Sequence, residues 1–126
     1  MMKLKTLMVI NAIIAGLFGI GFLIIPWQVL SFYGVQPNPE LNYIGQLFGA
    51  ALFTFAVLTW EARKLEASNA RTVIVRALFI GDGIGFIVAL MGQLNNVVNV
   101  LGWLTVAIYL LLAVGFGYFN FSKSSS

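Results

Sequence analysis

The sequence predicts an all-α integral membrane protein: a four-transmembrane-helix bundle with both termini cytoplasmic and a short interfacial helix after the first span. Three observations lead there. Four apolar stretches, residues 6–26, 43–60, 72–91 and 97–118, fill most of the 126-residue chain. Each is close to the ~20 residues a helix needs to cross a hydrocarbon core of ~30 Å. Hydrophobic residues make up 60% of the chain and charged residues 9%, against about 25% charged in a soluble domain. With a mean hydropathy of +0.96, a soluble core of this size has nowhere to hide so much apolar surface, so its solvent must be lipid. Finally, the seven Lys and Arg fall on segments that share one side of a membrane.

The elements follow in order, within a single domain spanning residues 1–126. Helix 1 begins after Lys3 and Lys5 and ends at Pro26, because proline cannot continue the backbone hydrogen-bond ladder. Its basic start followed by an apolar run resembles a signal peptide, but the run is too long and lacks a small-x-small cleavage site, so it reads as an uncleaved span. Pro26–Gly34 (PWQVLSFYG) is short and aromatic and reads as one or two helical turns at the headgroup level, stopped by Gly34. Gln36–Glu40 is a rigid Pro-rich turn. Helix 2 runs to Trp60 and is expected to extend into water as Glu61–Asn69, held by the (i, i+3) pairs Glu61–Lys64 and Arg63–Glu66. Residues 61–71 form the cytoplasmic loop before helix 3, a short uncharged link (Gly92–Asn96) precedes helix 4, and residues 120–126 are expected to be a disordered tail.

Orientation follows from the cations. Lys3, Lys5, Arg63, Lys64, Arg71 and Lys123 lie on the N-terminus, the 61–71 loop and the tail, and Arg76, one turn inside helix 3, can snorkel to the same side. The two opposite loops hold no Lys or Arg. This is the positive-inside pattern, and it accounts for a pI near 9.5 without nucleic acid. Trp27 and Trp103 are expected near the outer interface and Trp60 near the inner one. The location expected is a bacterial cytoplasmic membrane.

Composition also removes chemistry. The chain has no Cys and no His, so it has no disulfide or thiolate, and it lacks the commonest metal ligand and general base. No Ser has a His partner for a triad, and no carboxylate pair lies within a span. Gly81-Asp-Gly-Ile-Gly-Phe is not a dinucleotide fingerprint, since its last position is Phe and its context is an apolar helix. The expectation is therefore a non-enzyme with no catalytic residue, no metal and no cofactor.

Small residues mark the helix faces. Gly16 and Gly19 in helix 1, Gly45-x-x-x-Gly49 in helix 2 and Gly81-x-x-x-Gly85 in helix 3 have the small-xxx-small spacing that lets backbones approach closely. They serve either packing within one bundle or a groove or oligomer interface. Helix 4, bulky from Val106 to Leu112, reads as lipid-facing. Gly19-Ile-Gly-Phe recurs as Gly83-Ile-Gly-Phe, either by chance among residues common in membrane helices or as the mark of two tandem hairpins.

Asp82 is the sharpest residue. It sits near the middle of helix 3, where a carboxylate costs several kcal/mol unless paired, hydrated or protonated. It either ties helices together, serves as a proton or cation site, or recognises a ligand headgroup. Tyr109 and Thr54 stand at similar depth as partners; Arg76, six residues earlier, points roughly 120° away. Asn11 and Arg76 share the inner third and are placed to pair across helices 1 and 3, and Gln46 faces either water or the Pro26–Gly34 segment.

The order of Pro26-Trp27 through Tyr33-Gly34, then Gln46-Leu-Phe-Gly-Ala-Ala through Trp60-Glu-Ala-Arg63, resembles small bacterial four-helix membrane proteins of the DUF4345/DoxX-like kind. The resemblance covers about the first half of the chain and implies a four-helix bundle, with no activity attached to a residue. Gln46 stands where such families often place an Arg. The function expected is a non-catalytic membrane protein embedded in the lipid bilayer. It would be an accessory subunit with a membrane-protein partner or a homo-oligomer, or a bundle binding a lipid or other apolar molecule, without nucleic acid. The alternative is a small proton- or cation-coupled transporter, oligomeric around Asp82.

Overall fold

The computed structural model describes residues 3–122, which form five α-helices and no strand: α1 (Leu4–Ile24), α2 (Pro26–Phe32), α3 (Pro39–Ala62), α4 (Asn69–Leu94) and α5 (Gly102–Phe121). All but α2 are long and apolar enough to cross a membrane. Their outward faces carry large exposed apolar side chains, among them Leu17, Ile44, Ile84, Val88, Leu111 and Val114. A water-soluble surface rarely tolerates that much contiguous apolar area.

Local chemistry sets the helix ends. Ile25 donates its N–H to the Gly21 carbonyl (2.8 Å) and closes α1, and Pro26 opens α2 at the position where its missing N–H costs nothing. The Asn38 side chain caps α3 by accepting from Leu41 N–H (2.8 Å), with Pro39 next and Glu40 in the first turn. Ser68 caps α4, its hydroxyl accepting from Arg71 N–H at 3.2 Å.

Four boundaries correct the expectations. The second span starts early: α3 begins at Pro39, inside the Gln36–Glu40 stretch read as a turn, because Asn38 caps it there. The water-borne extension of the second span does not form: α3 stops at Ala62 and the chain turns before Ser68. Ser68 must be extended to cap α4 (φ −165°, ψ 168°). Lys64 does pair with Glu61 (3.3 Å), but Arg63 turns back to donate to the Trp60 carbonyl and lies 3.8 Å over the Trp60 ring. The last span starts at Gly102, not 97, because Val97–Leu101 are drawn into a loop. At the other end α5 continues through Phe121, so the expected tail loses Asn120 and Phe121 to helix. The rest of the expected tail from Lys123 onward lies outside the described residues.

The long helices form two antiparallel pairs, α1 with α3 and α4 with α5, and the pairs meet where α1 touches α5. The spatial order is thus α3–α1–α5–α4. The α1–α3 seam is built on glycine. A Cβ on Gly19 would lie 3.0 Å from the Gly49 carbonyl oxygen, and one on Gly49 would lie 2.8 Å from that of Gly19, so the backbones themselves are in contact. Gly16 meets Ala56, and Gly45 meets the Phe22 ring. On the other pair, Gly85 makes room for the Tyr109 ring and Gly117 for Phe79.

The two Gly-Ile-Gly-Phe segments sit in different surroundings: Gly19 is pressed on α3, whereas a side chain on Gly83 would meet nothing within 4 Å. The last span is also not simply lipid-facing. Val106, Leu112, Ala113, Phe116 and Phe119 of α5 are buried, and Gly115 admits Leu7 of α1.

The packed core lies at one end of the bundle. Leu4, Leu7 and Met8 of α1 gather with Ala62 of α3, Val75 and Leu78 of α4, and Leu112, Phe116 and Phe119 of α5. The start of α1, the end of α5 and the α3–α4 connection therefore share that end. Phe116 is 0% exposed, and Phe116→Ala is expected to cost roughly 3–5 kcal/mol, measured by reversible unfolding in bicelles.

Candidate functional site

Above this core the two helix pairs diverge. Consecutive α3 and α4 do not pack on each other to any extent, yet both line one cavity of about 400 Å³. α1 contributes Asn11, Ile14, Ala15, Phe18 and Phe22. α3 contributes Phe48, Ala51, Leu52 and Phe55, facing Ala77, Leu78, Gly81 and Asp82 of α4. Thr105, Ile108, Tyr109 and Leu112 of α5 complete the wall. Leu78 and Leu112 belong to the packed core as well, so the core is the floor.

The roof is the α2 region, tied down by hydrogen bonds. Leu30, Tyr33, Val35 and Val98 line the cavity from above. Asn99, in the loop before α5, donates its backbone N–H to the Tyr33 carbonyl (2.9 Å) and its side-chain amide to the Phe32 carbonyl (3.0 Å). The Tyr33 and Thr105 hydroxyls share a hydrogen bond of 2.8 Å. Gly34 takes a left-handed conformation (φ 76°), and a Cβ there would lie 3.1 Å from the Asn99 amide nitrogen. Only glycine serves both demands. Asn96 makes the matching left-handed turn after α4 (φ 59°). These long-range bonds explain why Val97–Leu101 is a loop despite its apolar sequence.

Asp82 stands near the middle of α4 and on the cavity wall. Its Oδ2 is buried and has no hydrogen-bond partner. Of its two expected partners, Tyr109 lines the same cavity without bonding to it. Thr54 is elsewhere, its hydroxyl donating to the Ala50 carbonyl of its own helix (3.0 Å). Of the two readings open for Gly81, a helix seam or a groove, the structure fits the second: a Cβ there would meet nothing within 4 Å, and it borders the cavity next to Asp82.

The expected Asn11–Arg76 pair is not formed. Asn11 donates to the Thr59 hydroxyl of α3 (3.2 Å), and Thr59, 0% exposed, donates to the Phe55 carbonyl (2.8 Å). Arg76 is exposed on α4. The α1–α3 pairing explains the change: it brings the C-terminal end of α3, not α4, beside Asn11. Gln46 is structural, donating to the Leu23 carbonyl at the end of α1 (3.2 Å).

Two further residues went unread in the sequence. Thr59 looked like any Thr in an apolar run, although its depth matches that of Asn11. Arg71, assigned to the loop, is a buried residue in the first turn of α4 and reaches the Leu65 carbonyl (3.4 Å). With Lys3, Lys5, Arg63, Lys64 and Glu66 it lines a basic hollow at the floor end of the bundle.

Fold and site together define a class: an all-helical chain whose four membrane-length helices line an open apolar cavity bearing one unpartnered carboxylate oxygen. No protein-family model, no curated protein and no solved structure matches this chain.

Proposed function

We propose that this is a non-catalytic multi-pass membrane protein that binds an apolar small molecule or lipid in the cavity between its two helix pairs. The observation that carries the reading is the cavity itself. A space of about 400 Å³, walled by all four long helices and dominated by apolar and aromatic side chains, has the size and lining of a small-molecule site. Because α3 and α4 do not close against each other, the route of entry lies between them, from the surrounding lipid.

The orientation follows the cations. The basic hollow at the floor end holds Lys3, Lys5, Arg63, Lys64 and Arg71, which favours that end as cytoplasmic and the α2 roof as external. With no native Cys, single cysteines test this directly. Glu66→Cys is expected to react with a membrane-impermeant maleimide only after the membrane is opened, and Asn95→Cys in intact cells. The reverse pattern contradicts the orientation.

Coupled transport around Asp82 is less well supported. It requires access from both sides, and the floor of Leu7, Met8, Leu78 and Phe116 is densely packed. An alkyl diazirine probe tests the binding reading. Saturable labelling of Phe48, Ala51 or Ala77, beside non-saturable labelling of outward Leu111 and Val114, is the expected result. Labelling without a saturable component overturns it.

A further inference from the structure

The lining of the cavity says more about its occupant than that it is apolar. Its polar groups are few: Asn11, Tyr33, Asp82, Thr105 and Tyr109. Three of the five are already engaged within the protein. Asn11 donates to Thr59, and Tyr33 and Thr105 bond each other. Asp82 is not, and its buried Oδ2 is an acceptor without a donor. No Lys or Arg lines the cavity, and Arg76, the nearest cation along α4, is exposed. The aromatic side chains Phe18, Phe22, Tyr33, Phe48, Phe55 and Tyr109 line the same cavity.

Each part of this arrangement favours one sign of charge. An unpaired carboxylate away from water is costly, and a ligand that brings its own positive charge and N–H donors removes that cost. Ring faces carry negative potential and attract a cation further. A carboxylate or phosphate on the ligand meets repulsion, and a quaternary nitrogen has no N–H to give Oδ2. We propose that the cavity selects a lipophilic amine in its protonated form, with Asp82 as counter-ion and the aromatic walls holding the apolar body. This rests on the reading of the cavity as a ligand site, and adds the chemical class of the ligand.

A matched series tests it: 1-adamantylamine, 1-adamantanol and 1-adamantanecarboxylate present one apolar cage with a cationic, neutral or anionic end. Each is made to compete, at equal membrane-bound concentration, with saturable diazirine labelling of the full chain in nanodiscs. The amine is expected to compete at least ~10-fold better than the alcohol, because it brings a full positive charge to Oδ2 where the alcohol brings only a dipole, and the carboxylate worst. Asp82→Asn, nearly isosteric, is expected to bring amine and alcohol within ~2-fold of each other. Asp82→Glu is expected to keep the preference, which separates loss of charge from a damaged fold. Equal competition by amine and alcohol on the native protein overturns the proposal but leaves the cavity reading standing. So does an amine preference that survives Asp82→Asn. Absence of saturable labelling in the native protein removes both.

Discussion

Gly81→Phe is expected to abolish ligand binding while leaving the fold intact. Gly81 is on the cavity wall one residue from Asp82, and a side chain there meets nothing within 4 Å. A benzyl group added at this point occupies space that the ligand needs. The helix does not suffer, since glycine is among the poorest helix formers and its replacement stabilises α4 by a few tenths of a kcal/mol or more. We expect affinity for any cavity ligand to fall by roughly 100-fold or more, about 2.7 kcal/mol, with an unfolding free energy equal to or above that of the native protein. Competition against saturable photolabelling measures the first, and reversible unfolding in bicelles the second. Binding that persists in Gly81→Phe places the ligand elsewhere.

Gly49→Leu is expected to do the opposite, damaging the fold itself. Its Cβ would lie 2.8 Å from the Gly19 oxygen and 2.9 Å from the Leu23 nitrogen. Both are main-chain atoms, so no rotamer change relieves the overlap, and the α1–α3 pair must separate. Where a bilayer is the solvent, no hydrophobic effect holds two helices together, and close packing carries the association. Forced separation therefore removes the Asn11–Thr59 hydrogen bond (3.2 Å) as well. We expect a loss of about 3 kcal/mol or more in reversible unfolding. Gly83→Leu is the control: nothing lies within 4 Å of its Cβ, and it is expected to change stability by less than ~0.5 kcal/mol. Equal stability of the Gly49 and Gly83 variants would show that the glycine seam does not hold α1 against α3.

Much of this fold was legible because apolar length and punctuation are local signals. The Pro26 break and the four long apolar runs each act within a few residues, and the helices follow them, whereas the Asn38-Pro39 start of α3 reads as part of a turn. Asp82 was legible for a similar reason, since one charge in a long apolar helix stands out without knowledge of neighbours. What was not legible depends on pairing. Gly49 and Gly81 each open a small-xxx-small pattern or close one, yet one meets backbone and the other a cavity. Spacing along one helix does not reveal which face meets a partner. Asn11 was assigned to Arg76 by depth alone, whereas the order α3–α1–α5–α4 brings it to Thr59. Val97–Leu101 read as helix because its apolar residues continue into α5; the bonds from Asn99 to Phe32 and Tyr33 are invisible to any local window. The cavity arises where two locally sound pairs fail to close on each other, which no single helix encodes.

The cavity as a ligand site is tested most directly by native mass spectrometry of the protein extracted gently from its own membrane, beside Gly81→Phe prepared identically. A small molecule retained on the native protein and lost from the variant is the expected result. Bare protein in both preparations, or the same adducts on both, would contradict it.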